Sequence, residues 1–211
     1  MASSNSKSIV YIDGFNLYYG TLRGSPHKWL NLQRYFELLS PNDNLQLVKY
    51  FTAYVTGAAR KRQEAYLNAL ETLPLVNVIL GRFKNRNVDC RVTGCSYSSS
   101  RRFLVPEEKR TDVNVAVHMI DDAYQGICDK MILVTGDSDL VPAVDMVKLR
   151  FPEIEVFAYI PARNKIRGAA VELRNSVDRD RLLPLNILPH AQFPANVPDG
   201  VGGTITKPAS W

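Results

Sequence analysis

Four aspartates in this chain have the type and placement to hold a divalent cation. Asp13 lies in Tyr11-Ile-Asp-Gly-Phe-Asn16, Asp112 in Lys109-Arg-Thr-Asp-Val-Asn114, and Asp137 and Asp139 flank Ser138 in Thr135-Gly-Asp-Ser-Asp-Leu140. Carboxylate oxygens are hard donors suited to Mg²⁺ or Mn²⁺, and several gathered at one point repel one another until a cation offsets their charge. One or two such ions can activate water for in-line attack on a phosphodiester and offset the charge that develops on the phosphoryl oxygens and the leaving oxygen. No side-chain nucleophile is then required. Each residue also has a plainer use. An aspartate ahead of an apolar helix caps backbone N–H groups, a carboxylate on a first helical turn favours the helix dipole, and asparagine closes turns through its own side chain. Two aspartates two residues apart exceed what capping needs. Asn16, three residues after Asp13, could instead hold a water or the scissile phosphate, and Ser138 would orient the turn or a bound phosphate.

What must position these residues is legible as strands and helices that alternate. Ser8 to Ile12 is a strand pattern that ends at Asp13, and Ile132 to Val134 is a fully apolar strand that ends, through Gly136, at Asp137. Leu140 to Leu149 reads as the helix that follows. Asp112 opens a segment in which Val113, Ala116, Val117, Ile120 and Ala123 recur at helical spacing, which puts Asp112 on the first turn. Elsewhere, residues 29–39 and 58–73 read as helices, and 45–54, 76–83 and 155–160 as strands, with 15–27 a loop. Strand ends of open α/β sheets are where ligands bind, but the four aspartates meet only if the strands of Asp13 and Asp137 are close neighbours.

The three motifs, Tyr11 to Asn16, Lys109-Arg-Thr-Asp-Val-Asn-Val-Ala116 and Leu133-Val-Thr-Gly-Asp-Ser-Asp-Leu140, in that order, closely resemble the NYN domain family, relatives of the PIN-domain nucleases. The resemblance spans roughly residues 8 to 185. It implies a three-layer α/β/α sandwich around a mainly parallel sheet, PIN-like, with a metal-dependent site that acts on RNA. Carried across residue by residue, it assigns Asp13, Asn16, Asp112, Asp137 and Asp139 to the catalytic set, the four aspartates as ligands of Mg²⁺ or Mn²⁺. None of these positions is substituted. The expected activity is therefore endoribonucleolytic, with a non-catalytic RNA-binding or regulatory module as the alternative. Gly136-Asp-Ser-Asp139 also resembles the late acidic motif of haloacid-dehalogenase phosphatases. Those enzymes need a nucleophilic aspartate with a second one two residues on, whereas Asp13 is followed by Gly14 and Phe15.

Composition agrees with an ordinary globular chain of 211 residues, 45% hydrophobic and 22% charged. No apolar run is long enough to span a bilayer, and the polar start lacks a signal-peptide core, so a cytoplasmic location and no membrane partner are expected. The net charge of +5 is concentrated. Residues 82–110 carry eight basic side chains against three acidic ones, and Phe83, Tyr97 and Phe103 are interleaved with them. A basic run is usually a solvated loop. This one leads directly into Asp112, so Arg86, Arg101, Arg102, Lys109 and Arg110, with Ser138, are read as contacts to single-stranded or structured RNA, whose bases the aromatics would stack on. Lys148, Arg163, Lys165 and Arg167 could extend that surface. Cys90 and Cys95 approach a zinc spacing, but two thiolates do not complete a tetrahedral site, and three cysteines make no disulfide framework. His118 reads as a helix-face residue, and Asp121, Asp122 and Asp145 as solvent-facing or capping ones. The domain is expected over residues 8–188, followed by a Pro/Gly-rich tail over 189–211, flexible or surface-hugging. No sequence feature marks an interface for a homo-oligomer.

Overall fold

The apolar run after Lys7 forms the centre of the sheet, buried from Ser8 to Asp13 on both faces as a central parallel strand must be. The computed structural model describes residues 5–97, 101–163 and 171–211. In chain order its first half comprises β1 (Lys7–Asp13), α1 (Gly14–Leu17), a π-helical turn (Tyr18–Leu22), α2 (Leu32–Leu39), β2 (Asn44–Thr52), α3 (Ala59–Glu71) and β3 (Val76–Leu80). There follow β4 (Arg82–Asp89), β5 (Arg102–Lys109), α4 (Thr111–Gln125), β6 (Lys130–Val134), α5 (Val141–Arg150) and β7 (Glu155–Ile160). The last elements are α6 (Val171–Ser176), β8 (Arg179–Leu182), a 3-10 turn (Leu185–Ala191), β9 (Asn196–Pro198) and β10 (Thr204–Thr206).

Six strands form one parallel sheet in the order β3-β2-β1-β6-β7-β8. β1 pairs directly with β6, Val10 opposite Ile132 and Ile12 opposite Val134, so the two strands that carry Asp13 and Asp137 are neighbours. The order reverses between them, which makes their C-terminal ends a topological switch point. Side chains alternate between two cores. Val10, Ile12, Val48 and Tyr50 face α2 and α3, where Trp29, Phe36, Leu67 and Leu70 pack. Ile9, Tyr11, Met131 and Leu133 face α4, α5 and α6 through Val115, Met119, Val144 and Leu173. The result is the expected three-layer α/β/α sandwich. Among the described residues no helix is long and apolar enough to cross a membrane.

Three segments differ from expectation. The stretch expected as a loop after Asp13 is helical, because tertiary contacts hold it. A Cβ on Gly20 would lie 1.6 Å from the Pro161 carbonyl oxygen, so the turn packs against the end of β7 at van der Waals range. Arg163 closes the turn by donating to the carbonyl oxygens of Thr21 (2.9 Å) and Arg23. The strand expected over 76–83 breaks at Gly81, where a Cβ would sit 2.8 Å from Thr111 Oγ1 and 2.9 Å from the Lys109 carbonyl oxygen. Beyond that break the basic segment is not a loop. β4 and β5 pair as an antiparallel hairpin, Arg82 opposite Lys109 through to Asp89 opposite Arg102. Finally, the Pro/Gly-rich segment 189–211 is built into the first core. Phe193 and Trp211 pack on Trp29 at ring distances of 5.7 and 6.2 Å, and the Trp29 indole donates to the Pro194 carbonyl at 2.8 Å.

Candidate active site at the switch point

Asp13 ends β1 and is buried, with 6% of its surface exposed. One carboxylate oxygen accepts the backbone N–H groups of Phe15 and Asn16, both at 3.0 Å, so its capping role is real. Its other oxygen accepts from the Asn16 amide nitrogen. The Asn16 amide oxygen in turn accepts the Gly136 N–H at 3.2 Å. Asn16 thus ties the end of β1 to the loop after β6, and both ends of its amide are occupied. That gives it a positioning role at the site.

Asp137 and Asp139 do not cap α5. The helix begins at Val141, its N-cap residue Leu140 makes no side-chain cap bond, and Pro142, which has no N–H, leaves one donor fewer to satisfy in the first turn. Asp137 Oδ1 accepts the Asp139 N–H at 3.2 Å, a local turn that leaves Asp137 half-buried and Asp139 exposed toward solvent. The capping alternative is therefore removed for this pair. Ser138 contributes its carbonyl to Val141 N–H at 3.0 Å, which shapes the turn; nothing assigns its hydroxyl to a phosphate.

Asp112 sits on the first turn of α4, across from both loops. Partial burial, then the charges of Asp13, Asp137, Glu108 and Asp139, push its carboxyl up to about 6. Burial also raises Asp13, opposed by its hydrogen bonds to Asn16 and Phe15 and reinforced by Asp137. Asp112 thus feels the charge of the other three aspartates, and Asp13 that of Asp137, as the adjacency of β1 and β6 allows. Glu108 is a fifth carboxylate that motif reading passed over. It accepts the Thr111 N–H at 3.2 Å and the Thr111 hydroxyl, and it shares a face of the hairpin with Phe83. The signal available was strand alternation through Glu107–Glu108, hidden by reading the segment as a loop. All donors are carboxylate oxygens, the chemistry Mg²⁺ or Mn²⁺ prefers. Among the described residues, however, no three Asp, Glu, His or Cys side chains stand close enough to grip an ion as they are, and Cys90 and Cys95 are free thiols.

The basic residues divide. Arg86 and Lys109 lie on one face of the hairpin together with Arg82 and Lys84, since residues directly opposite share a face and alternate along each strand. Lys109 pairs with Glu107 at 2.8 Å. Arg102 is on the other face, 3.1 Å from Asp89, so the hairpin does not gather it with Arg86. Arg101 precedes β5 and is exposed. Arg110 connects β5 to α4 in the left-handed conformation, φ 82°, beside Asp112. Arg163 is spent on backbone carbonyls and Lys148 on Asp178 (2.8 Å), so neither is a free phosphate contact; Lys165 and Arg167 lie outside the described residues.

Away from the site, Asp122 is not the solvent-facing residue expected. It is 2% exposed, accepts Lys49 Nζ at 2.7 and 2.8 Å, and accepts the Tyr11 hydroxyl at 2.6 Å. His118 borders this network, its Nδ1 3.2 Å from Lys49 Nζ, which agrees with a helix-face histidine. On the opposite side of Asp13 from Asp137, a cavity of about 170 Å³ opens between α1, the end of β2 and α3. Its aromatic lining was not anticipated.

The NYN domain profile matches residues 7–182. 6-Hydroxy-3-succinoylpyridine 3-monooxygenase HspA of Pseudomonas putida is 30% identical over 96% of this chain and 74% of its own length. A Vibrio parahaemolyticus protein of unknown function, seen in a crystal structure, superposes with a TM-score of 0.55 over 87% of this chain and 96% of that one. At 17% identity that likeness concerns the fold alone. With three motifs in order and a profile covering most of its length, the chain belongs to the NYN domain family, whose fold is of nuclease type.

Proposed function

We propose that the protein is a divalent-metal-dependent endoribonuclease. The observation that carries this reading is the direct pairing of β1 with β6, which brings the loops of Asp13 and Asp137 together at the switch point, where burial and then Asp13, Asp137, Glu108 and Asp139 push the Asp112 carboxyl up to about 6. Burying repelling carboxylates is costly unless something compensates them, and such perturbed clusters mark functional sites. Asp13, Asp112, Asp137 and Asp139 would hold Mg²⁺ or Mn²⁺. A bound ion would supply water activation and charge stabilisation at the phosphoryl group. The chain's own part is positional. Asn16 and two backbone N–H groups fix the Asp13 carboxylate, the Asp137 turn aims its neighbours outward, and Asp112 gives up a proton near pH 6 before it can serve as a ligand. Arg110 and the cations along β4 and β5 would meet the RNA phosphates.

A second reading rests on the aromatic cavity beside Asp13. The Pseudomonas relative is named for a monooxygenase of a substituted pyridine, and a flat heteroaromatic substrate would suit a cavity of this lining. Monooxygenation would place one oxygen atom of O₂ on the substrate and release the other as water, with a reductant supplying two electrons and two protons taken up from solvent.

Purified protein incubated with labelled RNA and matched DNA in Mn²⁺, Mg²⁺ or EDTA tests the first reading, with Asp137→Asn alongside. RNA products that need metal and vanish in the variant support it. RNA bound but uncut favours the non-catalytic binding module. RNA left uncut, with reductant- and O₂-dependent conversion of 6-hydroxy-3-succinoylpyridine, favours the second reading.

A further inference from the structure

The cavity beside Asp13 has features that core packing does not need. Gly14 and Phe15, which line it, directly follow Asp13, so the Asp13 loop separates cavity from acidic cluster. Tyr50 forms its inner wall. A Cβ on Gly14 would lie 2.7 Å from the Tyr50 ring and 2.8 Å from its hydroxyl, so glycine is what lets that ring lie against the backbone behind Asp13. Tyr66 stands edge-on to Tyr50 at 6.2 Å, and its hydroxyl is already spent on the Leu30 carbonyl at 2.9 Å. What it offers the cavity is a ring.

The mouth is different in character. Tyr19 is 59% exposed and stacks on Phe15 with ring planes 19° apart. Phe15 continues the row to Phe83 of the hairpin at 5.6 Å. Lys28 and Arg62 border the same cavity half-buried, and among the described residues neither has a carboxylate partner. Arg60, two residues earlier on α3, shows the contrast, being spent on Glu64 at 2.7 Å and on the Tyr54 ring. Aromatic faces bind flat rings, and unpaired cations beside them bind an attached anion. Size narrows the ligand further. Sites for drug-sized molecules run to roughly 300–1,000 Å³, so a cavity of about 170 Å³ admits one ring system and not a pair.

We propose that this cavity takes a single unstacked base of an RNA strand adjoining the acidic site, stacked by Tyr19 and Phe15, with Lys28 and Arg62 holding a flanking phosphate. The proposal rests on the ribonuclease reading. A free mononucleotide presents the same chemistry, a flat heteroaromatic ring with an anionic arm, and the test separates the two sources.

Full-length Asp137→Asn protein, silenced for cleavage, is titrated with a single-stranded RNA carrying one 2-aminopurine and, separately, with free 2-aminopurine riboside monophosphate. The titrations are repeated with Tyr19→Ala and Ala59→Phe added, the latter filling the mouth from α3. We expect the fluorescence of the RNA probe to be quenched at one register, Tyr19→Ala to weaken RNA binding roughly 5- to 150-fold as for one lost stacked base, and Ala59→Phe to abolish quenching. Unquenched RNA bound equally by all three proteins overturns the cavity assignment, and Mn²⁺-dependent cleavage by the wild type would then still stand by itself. Quenching of the free nucleotide without competition from RNA overturns the strand-bound base. Quenched RNA with a wild type that never cleaves supports the cavity and refutes the ribonuclease reading alone.

Discussion

Asp112→Asn should make the metal-free protein more stable, not less, at neutral pH. The Asp112 carboxyl is raised from 3.8 to about 6 by burial and then by Asp13, Asp137, Glu108 and Asp139. At about 1.4 kcal/mol per unit, a shift of about 2 units sets a ceiling near 3 kcal/mol. Asp112 is partly open to solvent, and screening reduces this to about 1–2 kcal/mol. Against it stands the carboxylate's favourable interaction with the first turn of α4, about 0.3–1 kcal/mol. The balance is about 0.5–1 kcal/mol in favour of asparagine, which for a domain of this size raises Tm by about 1–4 °C. The sign fixes the pH window. A carboxyl whose folded pKa is raised favours the folded state fully below its unfolded pKa of 3.8, and that contribution is lost as pH climbs through about 6. Asparagine has nothing to lose over that range, so its advantage is absent at pH 4 and complete by pH 7.5. Thermal melts in EDTA at both pH values read this directly. A lower Tm for the variant at pH 7.5, or a difference that does not change with pH, would show that Asp112 is not under strain from its neighbours.

Other perturbations separate positioning from packing. Asn16→Ala removes the link from Asp13 to Gly136 and should cost about 2 kcal/mol in urea unfolding, with Mn²⁺ affinity falling and RNA affinity in EDTA unchanged. Lys49→Met strands the Asp122 carboxylate, whose side chain is 2% exposed, and should cost about 3–5 kcal/mol while leaving Mn²⁺ affinity intact. The paired change Lys49→Met with Asp122→Leu should recover most of that loss. Phe193→Ala, at a position 7% exposed against Trp29, should cost about 3 kcal/mol by chemical denaturation; no loss would mean that the segment is a loose tail.

The sheet and the acidic motifs were legible because both rest on local pattern. Ile9–Ile12 and Met131–Val134 are apolar on both faces, which only a covered parallel strand satisfies; the first run stops at Asp13 and the second ends three residues before Asp137. The missed elements depend on long-range contacts. The helical turn after Asp13 is fixed by Pro161 and Arg163, some 140 residues away. In β5, charged residues and Pro106 blur the alternation, which hid the hairpin and with it Glu108. Asp122 resembles its neighbour Asp121 in sequence, and Tyr11 and Lys49, from β1 and β2, hold the first buried on α4 while the second stays at the surface. The segment after Pro184 has the composition of a tail, yet Phe193, Val197 and Trp211 supply enough apolar surface to close over Trp29.

Whether the four aspartates share a cation is most directly read by titrating Mn²⁺ into the metal-free protein calorimetrically at pH 6, in two buffers of different ionisation enthalpy. We expect saturable binding that releases about half a proton per ion from Asp112, whose carboxyl titrates at about 6, and that disappears in Asp137→Asn. Absence of saturable binding, or equal binding by Asp137→Asn, would contradict a metal site at the ends of β1 and β6.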